Sequence, residues 1–246
     1  MSDKDEIAAD DADDGELPEW VPEVVARLRN KASAGDSDAM WTLAMSLEKG
    51  PGVAEDPVEA LRWYREAAGY GNANAQHSLG RIFTRGDWVQ QDLALAAGWF
   101  RRAADQGHQH DQGFLGVVYE EGRGVMQDEA EAARWYRNAA EQGDATAQFR
   151  LGLMHKDGRG VVRSDAEAFA WMWKSALQGD AGDAQAQFNG AVSFDSGCGT
   201  AQSCEDAVAW YRKAAEQGFA MAEGRLGLMY DDGRGVPEDA AMAVIW

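Results

Sequence analysis

Glycine returns along this chain at a fixed step. Gly35, Gly71, Gly107, Gly143 and Gly179 are each 36 residues apart, and Gly218 follows after 39. Trp63, Trp99, Trp135 and Trp171 keep the same step of 36; Trp210 arrives after 39 and Trp246 after 36. A third series, Gly50, Gly86, Gly122, Gly158, Gly197 and Gly233, slips at the same place. Three series with one shared slip define an internal repeat, and a period of this size belongs to stacked arrays rather than to a globular fold with one central core. The slip has an address. Gly143 precedes Ala147-Gln148 by four residues, whereas Gly179 precedes Ala186-Gln187 by seven, which places three extra residues in the turn 180–185. A surface connection tolerates such an insertion.

Within the period, the apolar spacing predicts two helices. Leu151, Met154 and His155 share one helical face in the first half of a repeat, and Ala168, Trp171 and Met172 share one in the second. The paired glycines of Gly158-Arg159-Gly160 separate them and suit backbone with positive φ. Asp56-Pro57-Val58-Glu59 carries an N-cap acid, a proline at the first helical position and a glutamate at the third. Asp128…Glu131 and Ser164…Glu167 repeat that box without the proline. The second helices are therefore expected to begin within two residues of Asp56, Asp92, Asp128, Ser164, Ser203 and Asp239. Each ends in Ala-Ala-x-x-Gly or a close variant, whose glycine suits the residue after the C-cap.

The motifs Leu79-Gly80, Leu115-Gly116 and Leu151-Gly152, the Gly-x-Gly-Val loops 122–125 and 158–161, and Trp135-Tyr136 with Ala139-Ala140 and Gly143 together resemble the Sel1-like repeat, a relative of the tetratricopeptide repeat. The resemblance covers about residues 36–246 and implies an all-α, right-handed α-solenoid of helix-turn-helix repeats that acts mostly as an adaptor in protein complexes. About five full repeats are expected, with a half-repeat capping helix over residues 20–35 and a partial last repeat. Val24, Val25 and Leu28 would cover the open end of the stack, a single layer of helix pairs without strands. The fifth repeat departs most from the pattern, with Gly190-Ala191 in place of Leu-Gly, the turn insertion, and Gly197-Cys198-Gly199, so it is expected to be the least regular. The tryptophan column is expected in the core, with Trp135 and Trp171 beside Gly116 and Gly152.

Charge narrows the partners. The chain of 246 residues carries 42 acids against 23 lysines and arginines, a net charge of −19. Such a balance repels phosphate backbones and anionic lipid, so neither nucleic acid nor membrane is expected as a partner. Residues 1–19 hold nine acids and one lysine and are expected to form a disordered acidic tail. The start of the chain lacks the basic and apolar regions of a secretory signal, so a cytoplasmic location is expected. Cys198 and Cys204 are then expected as reduced thiols, although cysteine-rich relatives of the family staple their repeats.

No catalytic constellation stands out, and an enzyme is not expected. Ser46, Ser78 and Ser193 have no lysine or histidine at a recognisable spacing, which disfavours the β-lactam hydrolysis linked to cysteine-rich relatives. The Gly-x-Gly loops follow helices rather than strands and are not phosphate cradles. His108-x-His110-Asp111 has zinc-like donors, but both His108 and Asp111 fall at inter-repeat positions that take polar residues anyway. A solvated turn is the expectation there, with no metal and no cofactor.

The leading functional expectation is a non-catalytic scaffold, adaptor or regulator that grips a protein or peptide; the alternative is an inhibitor or immunity protein neutralising a basic toxin. In tetratricopeptide relatives the groove is lined by the first helix of each pair, at offsets −2, +2 and +5 from the leucine of Leu-Gly. Carried onto this sequence, those positions include Trp41, Met45, His77, Arg81, Phe149, Leu153, Phe188 and Val192. The apolar members suggest one anchor patch in the first repeat and another across the fourth and fifth, suited to a partner with apolar and basic residues. The competing reading is that these side chains fill gaps between successive first helices.

Overall fold

The computed structural model describes residues 20–50, 53–178 and 184–246. The acidic segment 1–19, the Pro51-Gly52 step and most of the inserted turn at 180–185 lie outside the described residues. Thirteen helices, and no strand, occur among those described. They gather into two compact units, residues 1–75 and 76–246. The sequence suggested one unbroken stack. A repeat touches only its neighbours, so no shared core obliges an array to cluster as one body.

The first unit contains α1 (Trp20–Ser33), α2 (Ser37–Lys49), α3 (Pro57–Gly69) and the first residues of α4 (Ala73–Arg85). Val25 and Ala32 of α1 are buried and Leu28 is half-buried, but Val24, expected beneath the cap, is 41% exposed. Neighbouring helix residues point about 100° apart, so Val24 and Val25 cannot both face the same stack. Arg29 reaches across from α1 and donates to both carboxylate oxygens of Glu59 on α3.

The second unit holds the rest of α4 and then α5 (Leu93–Asp105), α6 (Gln109–Glu121), α7 (Glu129–Glu141), α8 (Ala145–Asp157), α9 (Asp165–Leu177), α10 (Ala184–Ser196), α11 (Cys204–Glu216), α12 (Ala220–Asp231) and α13 (Ala240–Ile245). Every second helix starts directly after its expected cap. Asp56, Asp92, Asp128, Ser164, Ser203 and Asp239 each accept a hydrogen bond from a backbone N–H of the first turn. Each such cap contributes about 1 kcal/mol. The fifth repeat, expected to be the least regular, has two helices of 13 residues, as the fourth does.

Two devices set the spacing between repeats. At the second loop glycine, an added Cβ at Gly124, Gly160 or Gly235 would stand 2.1–2.3 Å from backbone of Leu93, Glu129 or Cys204. Only a residue without a side chain lets the loop of one repeat lie on the second-helix start of the repeat before it. The other device is a row of glutamines. Gln106, Gln142, Gln178 and Gln217 donate to Gln76, Gln112, Gln148 and Gln187 at 2.6–2.8 Å. Gln112 and Gln148 donate in turn to the carbonyls of Ala104 and Ala140 in the preceding repeat, both at 3.0 Å. Buried amides are thereby satisfied across each junction.

The tryptophan column sits differently from expectation. Trp135 is 2% exposed, but the ring against Gly116 belongs to Tyr136, and Met172 rather than Trp171 lies on Gly152. Trp171 is half-buried. Its column lies under cations instead: Arg62, Arg102, Arg134, Lys174 and Lys213 cover Trp63, Trp99, Trp135, Trp171 and Trp210 at 3.9–5.0 Å from the ring centroids. An indole with one face in the stack and the other under a cation is well served at a helix surface.

Candidate functional site

The predicted binding residues fall on first helices: His77 and Arg81 on α4, and the apolar ones in two separate sets. In the first unit Trp41 and Met45 lie one turn apart on α2, and both are half-buried. In the second, Phe149 and Leu153 on α8 and Phe188 and Val192 on α10 are likewise half-buried. Phe188 and Val192 pack against the cluster around Tyr211 and Leu226, with the Phe188 ring 5.6 Å from Tyr211 and 5.2 Å from Phe219. These two serve partly as packing. In the same repeat column on α12, Leu228 is 56% exposed, an apolar group the anchor set did not include.

Charge borders this face. Glu120, on α6, accepts from the Tyr136 hydroxyl at 2.7 Å and from Arg159 at 2.8 Å, with Arg150 at 3.7 Å. Burial pushes its carboxyl up, but the Tyr136 hydroxyl and the two guanidinium groups outweigh that and hold it below the usual carboxylate range. The same contact, after burial, drives the Tyr136 phenol far upward, so it remains a donor. The homologous pair Asp195 and Arg234 recurs two repeats on. Cys198 and Cys204 are free thiols, Cys198 exposed with Asp165 beside it raising its pKa.

The histidine turn departs from expectation most sharply. Asp111 is not solvated: its side chain is 0% exposed. The repeat frame explains why. The equivalent residues are Ala39, Ala75, Ala147, Ala186 and Ala222, all buried in the stack. Asp111 is a carboxylate standing in an alanine column. His77 of α4, 34 residues earlier, brings Nδ1 to 2.6 Å from Asp111 Oδ1. His108 brings Nδ1 to 2.9 Å from Oδ2, yet neither that nitrogen nor Oδ2 completes a hydrogen bond. His108 departs from its own column, as Phe219 also does. Asp36, Asn72 and Asp144 cap their helices through the side chain, while His108 makes no cap bond. The His77 ring lies 5.4 Å from that of His108 and 5.5 Å from that of His110. His77, Arg81, His110, Phe100 and Phe114 line a cavity of about 130 Å³ beside it. Arg81 is exposed. Sequence spacing pointed to His108, His110 and Asp111 but separated them from His77; the alanine column was the signal that marked Asp111 as buried.

No helix among the described residues is long and apolar enough to cross a membrane. No curated protein matches the chain. Among solved structures, it is similar to a protective antigen with an SLR fold present in uropathogenic Escherichia coli strains, at 33% identity and a TM-score of 0.78 over 90% of this chain and 47% of that one. The chain thus spans about half the length of that relative. It is also similar to a Sel1 repeat protein from Oxalobacter formigenes, at 28% identity and a TM-score of 0.77 over 91% and 90% of the two chains. The Sel1 repeat pattern itself matches residues 37–69, 73–108, 112–144, 145–180, 184–219 and 220–246. With six successive matches over helix pairs of one design, this chain belongs to the Sel1 repeat family.

Proposed function

We propose that this protein is a non-catalytic binding scaffold that holds an extended or helical peptide with apolar residues and net positive charge along its first helices. Sel1 repeat proteins generally mediate protein–protein interaction. The observation that carries the reading is the half-buried apolar quartet Phe149, Leu153, Phe188 and Val192 on successive first helices of the second unit, where a solvent-facing stripe would be polar. Trp41 and Met45 form a smaller patch of the same kind in the first unit. Half-buried aromatic anchors concentrate binding energy, often about 2 kcal/mol or more each. The net charge of −19 favours a basic partner and speeds its encounter. Cytoplasmic residence accords with the free thiols.

The test is selection from a displayed random peptide library, followed by binding of the selected peptides to Phe149→Ala and Phe188→Ala variants whose folding is verified by circular dichroism. Enrichment of basic, apolar peptides and a loss of about tenfold or more in affinity, ~1.4 kcal/mol, are expected for each variant. Binding within a factor of about two of the parent, ~0.4 kcal/mol, by both folded variants would remove this face as the site.

A further inference from the structure

Two residues break the repeat pattern at one place, and both breaks put a metal-ligating atom there. Asp111 replaces a buried alanine, and His108 replaces a side-chain cap. Neither substitution helps the stack. A buried carboxylate oxygen without a hydrogen-bond partner is costly to desolvate, and a helix start without a side-chain cap forgoes about 1 kcal/mol. The third donor comes from the neighbouring first helix. His77 Nδ1, His108 Nδ1 and the Asp111 carboxylate converge so that one ligand atom from each lies within 4.8 Å of the others.

We propose that His77, His108 and Asp111 form a binding site for a divalent transition-metal ion of zinc-like character, which pins α4 to α6. Two imidazoles and one carboxylate match the donor preference of zinc, cobalt and nickel, and are a poor match for calcium or magnesium, which take oxygen donors. The ion takes the place of the proton in the 2.6 Å hydrogen bond between His77 Nδ1 and Asp111 Oδ1, that proton passes to solvent, and the two ligand atoms separate to about 3.3 Å, as bonds of ~2.0 Å at a tetrahedral angle require. His108 Nδ1, a buried nitrogen without a hydrogen-bond partner, gains one in the ion. Three protein donors leave a coordination position for water or for His110, whose exposed ring lies 5.5 Å from that of His77 on the side of the 130 Å³ cavity. The ion acts as a staple between the second and third repeats. Its site is separate from the apolar quartet on α8 and α10, so it stands whether or not that face binds peptide.

The experiment uses the full chain stripped with chelator and titrated with Co²⁺, read by visible absorption, then with Zn²⁺ by calorimetric competition. One equivalent should bind, with absorption bands of a nitrogen- and oxygen-ligated ion and a melting temperature that rises with ion concentration. Asp111→Ala restores the residue used by the other repeats and should fold at least as well without metal. His108→Asn restores the cap found at Asn72. Each should weaken binding by ~100-fold or more, at least the loss expected for disturbing a metal's outer shell. No saturable uptake below about 100 µM by the parent, a value too weak for a dedicated site, overturns the proposal. So does retention of affinity within about threefold by either folded variant, which would place the ion elsewhere, for instance on the acidic residues 1–19. Should one variant fail to fold, the other decides.

Discussion

Gly116 offers a sharp test of how the repeats close on one another. A Cβ built on Gly116 would stand 2.4 Å from two ring carbons of Tyr136. The ring has nowhere to go: Tyr136 is 1% exposed, and its hydroxyl is held by Glu120 at 2.7 Å. Gly116→Ala must therefore shift α6 from α7 or break that hydrogen bond. Overpacking of this kind costs about 1–3 kcal/mol, and loss of a hydrogen bond to a charged group about 1.5–3. Against this, alanine in a helix interior gains about 1 kcal/mol over glycine. The net expectation is a loss of up to about 2 kcal/mol. Gly98, on α5, supplies the control. It is exposed and mid-helix, and a Cβ there meets nothing within 4 Å. Gly98→Ala should stabilise by about 0.5–1 kcal/mol. Urea titration of both variants against the parent reads the sign directly. If Gly116→Ala is as stable as Gly98→Ala, the Tyr136 ring does not close on α6 and the packing argument fails.

Trp135→Ala should cost about 3–5 kcal/mol in the same titration, because the 2%-exposed indole leaves a cavity; a loss below about 1 kcal/mol would make the position peripheral. Glu120→Gln should show a pH-dependent penalty. The Glu120 carboxyl titrates below its ordinary value in the folded protein, so it contributes stability above that value and loses it as pH falls through the folded one. The stability gap between parent and Glu120→Gln should therefore narrow from pH 7 toward pH 3, and a gap constant with pH would show that the contact carries no proton linkage.

Most of the fold was legible because its signals are local. A cap such as Asp128 needs only the N–H groups two and three residues ahead, and a loop glycine such as Gly158 needs only its own φ. Both repeat with the period, so the helix pairs and the starts of the second helices followed from spacing. Which neighbour a side chain meets was not local. Trp135 and Tyr136 are adjacent in sequence and about 100° apart on the helix, and only the rotation of α7 against α6 puts the tyrosine on Gly116. The apolar quartet lies on first helices, but the half-burial of Phe188 and Val192 reflects how closely α10 meets the cluster around Tyr211. His77 and Asp111 are 34 residues apart, two short of the repeat, and stand at different points of their own repeats. The sequence by itself determined the array, its helices and its caps, since each follows from a few neighbouring residues. The tertiary structure alone decided that His77 meets the Asp111 carboxylate beside His108, because that depends on how far one first helix stands from the next.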